Sequence, residues 1–140
     1  MKNALALVAV VVVAAAGAST ATASPARAGA TFCQDAAVFG HGSNLLALPP
    51  ATLKSDYGKF KTLATTMVPQ APSSIRTDLK SVFTFDLGLF SELSKVGWSF
   101  AKIPKSVLAQ WAVAGPKLKP ASDAVIGYID AKCGLKLVKP

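Results

Sequence analysis

The stretch Ser122–Gly134, SDAVIGYIDAKCG, decides the fold that we predict for this chain. Its core-facing positions recur at helical spacing: Val125, Ile126, Ile129 and Cys133. Gly134 follows at the place where a helix commonly ends in a left-handed residue. The stretch therefore predicts a buried helix near the C-terminus, and this helix carries one of the two cysteines of the chain.

The other cysteine, Cys33, lies near the opposite end of the sequence, and we predict that it forms a disulfide with Cys133. The spacing is not C-x-x-C, the pattern of a redox pair, and the N-terminus predicts export to an oxidising compartment. The alternatives are two free thiols or one redox nucleophile. Closing so long a loop would stabilise the folded chain by about 4–5 kcal/mol in the chain-entropy account.

The N-terminus has the composition of a secretory signal peptide. Lys2 is followed by the apolar run Ala4–Ala16, which is too short for the roughly 20 residues of a bilayer span. We predict cleavage after Ala28, with Ala23 as the alternative. Residues 1–28 would then be the signal peptide, and the mature chain would carry no transmembrane segment.

Cleavage there leaves residues 29–140 as a single domain and, with the loss of Lys2 and Arg27, lowers the net charge from +8 to +6. A lipid anchor at Cys33 is disfavoured, because Phe32 rather than a small residue precedes it and the apolar run ends well before it. We therefore expect a secreted, extracellular protein, with association to the cell envelope as a further option.

Apolar residues recur at intervals of three and four through most of the domain, the pattern of amphipathic helices. The predicted helices are 31–39, a second from a Thr52 cap to about Val68, a third from Ser73 or Ser74, a fourth opened by Pro104 and ended by Gly115-Pro116, and the final one. We predict an all-α fold, a compact bundle of four to five helices stapled by one disulfide between its N- and C-terminal helices.

Few residues suggest catalysis or metal binding. His41 is the one histidine, and a zinc site needs three or four converging ligands. Ser99 and Lys102 have the S-x-x-K spacing of penicillin-recognising enzymes, but the companion S-D-N and K-T-G elements are absent. We predict no catalytic residue, no metal site and no cofactor, and hence a protein that is not an enzyme.

The carboxylates are scattered and are expected at the solvated surface, with one exception. Asp86 falls beside the apolar stripe of the third predicted helix. Lys80 or another neighbour is the expected ion-pair partner for it.

The aromatic residues Trp98, Phe100 and Trp111 are candidates for the lining of an apolar pocket between helices, although such residues also occur as ordinary core. The basic charge suits an anionic partner such as an acidic wall polymer or lipid head groups. A basic surface that only confers solubility is the simpler interpretation, and export argues against nucleic acid as a partner.

The chain resembles the small exported helical proteins of actinobacteria. The resemblance rests on the Ala/Val-rich signal peptide, the Cys-Gln-Asp-Ala start at 33–36, the Ala-Pro-x-x-Ile segment at 71–75 and the closing Tyr-x-x-x-x-Cys-Gly at 128–134. It implies a helical fold and an exported location, and no activity. Many of those relatives are lipoproteins, and this chain departs from them in lacking a lipobox.

Three hypotheses of function follow from these observations. The first is a secreted non-enzymatic protein that binds an apolar small ligand or an envelope component. The second is a cationic protein that binds an anionic wall polymer or lipid through its surface. A small hydrolase ranks last, because His41 has no visible partner. The sequence leaves the oligomeric state open.

Overall fold

The structure is a computed structural model that describes residues 27–39 and 49–137 of the 140-residue chain. Its described residues form four α-helices and one 3₁₀ turn. The helices are α1 (Arg27–Phe39), α2 (Pro50–Gln70), α3 (Ser73–Lys95) and α4 (Lys105–Cys133), and the 3₁₀ turn is Phe100–Lys102. The predicted all-α fold is confirmed over these residues, which contain no β-strand. Most of the predicted signal peptide, His41 and the residues around it lie outside the described part.

Prolines set the starts of three helices. Pro49, Pro72 and Pro104 occupy the N-cap positions of α2, α3 and α4, each with extended ψ, and no side chain caps these helices. The proline carbonyl accepts the first helical hydrogen bonds, as in the 3.1 Å bond that the backbone N–H of Leu53 donates to Pro49. The predicted Thr52 cap is wrong, as is a serine cap for α3. The ring fixes φ near −65°, so each proline aligns the chain before the helix begins.

The predicted break at Gly115-Pro116 is also wrong. A single helix, α4, runs through Gly115, Pro116 and Pro120 to Cys133. Both prolines lie on the exposed side of the helix. A proline inside a helix removes one backbone hydrogen bond, and on the exposed side water can bind the carbonyl that loses its partner.

The helices enclose two apolar clusters, one toward each end of the bundle. We call the first the disulfide end, and its buried members are Phe32, Ala36, Met67, Ala71, Ile75, Leu79, Phe83, Val125 and Ile129. We call the second the aromatic end, with buried members Leu53, Leu89, Phe90, Leu93 and Ile103. At the disulfide end the N-terminal half of α3 packs against the C-terminal halves of α2 and α4. At the aromatic end the C-terminal half of α3 packs against the N-terminal halves of α2 and α4. Helix α3 is therefore antiparallel to both α2 and α4, and it packs against each of them.

The disulfide end is closed covalently. Cys33 of α1 and Cys133 of α4 form the predicted disulfide across a Cα–Cα distance of 5.3 Å. The helix α4 then ends at Gly134, whose φ of 67° is the left-handed conformation predicted for it. At the same end Arg76 donates from Nε and Nη2 to the carbonyl oxygen of Ala71, at 3.0 and 2.8 Å, and so fastens the turn between α2 and α3.

A helix that crosses a bilayer must be both long and apolar. Among the described residues no helix combines the two.

Candidate functional site

Five aromatic rings form a connected series that runs from the middle of the bundle to the aromatic end. We call it the ring series. Its centroid distances are 5.0 Å for Phe83–Phe60, 5.6 Å for Phe60–Phe90, 5.7 Å for Phe90–Tyr57 and 5.6 Å for Tyr57–Trp98. These separations are typical of favourable aromatic pairs. Because α2, α3 and the segment after α3 each contribute rings, the series exists only in the folded bundle.

The three aromatic residues singled out from the sequence meet at this same end. Trp98, Phe100 and Trp111 are half-buried, and all three pack against the buried cluster that contains Leu53 and Ile103. Each side chain is therefore in contact with the core and still partly accessible to solvent. That they line a ligand pocket stays a prediction.

Trp98 has an unusual backbone. Its φ is 65°, and it is the one non-glycine residue of the described chain with a positive φ. It follows Gly97, whose φ is 67°. The Trp98 N–H donates a 2.7 Å hydrogen bond to the carbonyl oxygen of Leu93, near the end of α3. A bulky residue in the left-handed region costs roughly 1–3 kcal/mol, and the indole packs against the rings of Tyr57 and Phe90.

Asp86 is buried beside the ring series. Its residue exposure is 4%, and it lies three residues after Phe83 and four before Phe90, on the inward face of α3. Its carboxyl forms no hydrogen bond or ion pair with any described residue. The expected partner, Lys80, is exposed and does not reach it. Burial without compensation raises the pKa of Asp86 to about 8, because desolvation disfavours the charged carboxylate.

The position of Asp86 along α3 separates the two clusters. Phe83 before it belongs to the disulfide end, and Leu89 after it belongs to the aromatic end. The middle of α4 likewise contributes no large buried side chain, since its buried residues there are Gly115 and Ser122. The carboxyl therefore lies at the junction between the two clusters, at the level along the bundle where α4 has its smallest buried residues.

The remaining candidates are not brought together. Ser99 and Lys102 share a 3.1 Å backbone hydrogen bond, and no side-chain bond joins them. Asp56, Glu92, Asp123 and Asp130 each pair with a nearby lysine at the surface. No group of three or more His, Cys, Asp or Glu side chains suited to a metal occurs in the described part of the chain.

The lysines are unevenly distributed along the sequence, a feature that the sequence interpretation missed. From Leu93 to Ser122 the chain has five lysines and no carboxylate: Lys95, Lys102, Lys105, Lys117 and Lys119. All five are exposed, and two of them pair with carboxylates outside this segment, Lys95 with Glu92 and Lys119 with Asp123. The same segment of the sequence includes Trp98, Phe100 and Trp111.

The sequence interpretation also missed the ring series as a unit. Tyr57 and Phe60 appear in the apolar stripe of the second predicted helix and Phe90 in that of the third, where ordinary packing explains them. The signal present in the sequence was the concentration of aromatic rings on two adjacent predicted helices.

Comparison with known proteins adds no functional information. No protein-family model matches the chain, and no curated protein or solved structure is significantly similar to it.

Proposed function

We propose that the protein is a secreted, non-enzymatic binding protein that takes an apolar small ligand at its aromatic end. The observation that carries the proposal is Trp98, whose unfavourable φ of 65° holds its indole, half-exposed, at the end of the ring series. The signal-peptide pattern of residues 1–28 supports export, and the disulfide between Cys33 and Cys133 suits an oxidising compartment.

Backbone strain of this kind persists where the surrounding structure enforces it, and it is concentrated at binding sites and switches. Trp98 remains partly accessible, as do Phe100 and Trp111 at the same end. Large, rigid rings that are partly exposed provide contact area for a ligand at little cost in side-chain entropy.

The uncharged dye N-phenyl-1-naphthylamine tests this proposal, because its fluorescence increases in an apolar site. We expect saturable binding to the mature, disulfide-bonded protein. Trp98→Ala and Trp111→Ala should each weaken the dye affinity about tenfold, which corresponds to a loss of about 1.4 kcal/mol.

Tyr128→Ala is the matched control, since Tyr128 is a half-buried aromatic residue at the disulfide end, where its ring contacts Phe32. Its dye affinity should equal that of the wild type. Absence of dye binding, or an equal loss in the Tyr128 variant, would contradict the proposal.

A second candidate function is binding to an anionic envelope surface. It is favoured by the segment Leu93–Ser122, which has five lysines and no carboxylate. Vesicles of phosphatidylcholine with and without phosphatidylglycerol separate this function from the first. We expect binding only to the anionic vesicles, lost in about 1 M salt, where the screening length falls to roughly 3 Å.

Substituting Lys102 and Lys105 by glutamine should weaken vesicle binding, whereas the same change at Lys59 and Lys61 of α2 should have little effect. All four lysines are exposed, so the two double variants remove equal charge from different surfaces. Equal losses in both would indicate general charge attraction and reject a dedicated surface.

A further inference from the structure

Burial of the Asp86 carboxyl group costs free energy that packing alone does not offset. A carboxyl group with 4% exposure and no partner among the described residues is energetically unfavourable. An alanine or leucine at this position of α3 would avoid that cost. The buried group therefore points to a partner that is supplied by binding.

The surroundings of Asp86 indicate the chemistry of that partner. Phe83 and Phe90 flank the carboxyl along α3, and Phe60 of α2 contacts both of those rings at 5.0 and 5.6 Å. Aromatic faces attract cations through their quadrupoles, and a carboxylate in an apolar setting attracts a cation strongly. Rings together with a single buried carboxyl are a combination suited to an organic ammonium group.

We propose that the ligand of the aromatic end is an organic cation, an apolar molecule with an ammonium group, whose charge is held by the Asp86 carboxylate between rings of the ring series. This inference rests on the proposed function, and it adds the class of ligand. The apolar part of the ligand would contact Trp98 and Tyr57, nearer to the end of the bundle.

A metal site and a catalytic group fit the buried carboxyl less well than a counter-ion does. A metal ion needs several converging ligands, and Asp86 belongs to no metal-ligating group within the described residues. A catalytic acid or base needs a nucleophile or a second titratable group within reach, and Asp86 has no hydrogen-bond partner there. An organic cation needs only the carboxylate and the rings.

Binding of an ammonium group implies the release of a proton. Burial holds the carboxyl neutral near pH 7, since it raises the pKa of Asp86 to about 8. The ammonium stabilises the charged carboxylate, so the proton of the carboxyl passes to the buffer while the ligand keeps its charge.

The ionisable groups on the adjacent helices do not share that role. Asp86 is the one buried residue with an ionisable side chain in the described part of the chain. Tyr57 of α2 is half-buried and packs its ring on Phe90. Lys61 of α2 and Lys117 of α4 are exposed to solvent. The proton released on binding is therefore assigned to Asp86.

Three ligands of matched shape test the inference: 4-phenylbutylammonium, 4-phenylbutanol and 4-phenylbutanoate. Calorimetric titration of the mature, disulfide-bonded protein should show at least tenfold tighter binding of the ammonium than of the other two. Asp86→Asn, which keeps the shape of the side chain and cannot ionise, should remove this preference.

Asp78→Asn is the matched control, because Asp78 is a half-buried carboxylate of the same helix, α3. It should retain the ammonium preference. An unchanged preference for the ammonium in Asp86→Asn would overturn the inference. Tighter binding of the alcohol than of the ammonium by the wild type would also overturn it, but would leave the proposed function intact. Failure of all three ligands and of the naphthylamine dye to bind would overturn both this inference and the proposed function.

The proton release gives a second measurement that needs no variant. Titration of the wild type with 4-phenylbutylammonium at pH 6.5, in buffers that differ in ionisation enthalpy, should show the release of about one proton per ligand. At pH 9.5 the release should vanish, because the carboxyl is then already ionised. Binding at pH 6.5 without proton release would reject Asp86 as the counter-ion.

Discussion

The two ends of the bundle are built in different ways. The disulfide end joins α1, α2, α3 and α4 around mostly aliphatic side chains, and a covalent bond between Cys33 and Cys133 holds it. The aromatic end has no covalent link among its described residues, is rich in rings, and contains the unfavourable backbone of Trp98. Asp86 lies at the junction of the two.

This difference shows how a small domain can tolerate costly features. A strained residue and a buried carboxyl without a partner among the described residues each lower the free energy of unfolding, and a domain of this size has only about 5–15 kcal/mol in total. The disulfide adds stability at the opposite end. The strained backbone of Trp98 is thus at the opposite end of the bundle from the disulfide.

The largest expected effect concerns pH and Asp86. The folded-state pKa of about 8 exceeds the ordinary value of 3.8, so between these pH values the folded protein binds more protons than the unfolded chain. The free energy of unfolding should therefore fall as the pH rises from about 4 to about 8, by as much as about 5 kcal/mol, and change little from this source outside that window. Urea unfolding at a series of pH values measures it.

Asp86→Asn is the reference for that experiment, since the amide cannot ionise. The difference in the free energy of unfolding between the wild type and the variant should change steadily with pH across the same window. Tryptophan fluorescence sharpens the comparison of the two ends, because both tryptophans of the chain, Trp98 and Trp111, lie at the aromatic end. A difference between the two proteins that stays constant with pH would show that the carboxyl is solvated or paired in the folded protein.

The second largest effect is expected from removal of the disulfide. Replacing Cys33 and Cys133 by serine together should lower the free energy of unfolding by about 4 kcal/mol, because the unfolded chain regains the freedom of a loop with a sequence separation of 100. Thermal and urea unfolding measure the loss, and reduced wild-type protein should behave like the variant. If the aromatic end is stable by itself, the tryptophan fluorescence will change after the helical circular dichroism signal; a single shared transition would show that the ends depend on each other.

The smallest effect compares one glycine from each end. Gly97 and Gly134 both have φ of 67°, and a Cβ atom at either would meet no other atom within 4 Å. Alanine at each position should therefore cost about 1 kcal/mol from backbone conformation alone. Gly97→Ala should in addition weaken binding of the naphthylamine dye, because Gly97 sets the approach to Trp98. Equal dye affinity in both variants would show that the strained segment does not contribute to ligand binding.

Much of the helical architecture was predictable from the sequence. The spacing of Val125, Ile126 and Ile129 and the position of Gly134 identified the buried face and the end of α4. The expected export and the absence of C-x-x-C spacing predicted the disulfide. These features depend on the local spacing of apolar residues and on the presence of two cysteines, and the sequence alone shows both the spacing and the cysteines.

The errors arose where a tertiary context overrides a local rule. Gly115-Pro116 is a strong local stop signal, yet α4 continues because its prolines face solvent and its flanking segments pack on both clusters. Thr52 is a good capping residue, but Pro49 is the N-cap of α2, three residues earlier. At the candidate site the sequence placed Asp86 beside an apolar stripe and could not show that Lys80 turns away from it.

The disulfide has one more consequence, for the integrity of the chain. Because Cys33 and Cys133 are the two ends of a covalent ring, a protease that cuts one peptide bond anywhere between them leaves a single molecule. The first helix would remain tethered beside its packing partners at a high effective concentration after a cut between α1 and α2. A protein nicked in this way in a protease-rich medium would keep its mass apart from one added water, and only reduction would release the two fragments.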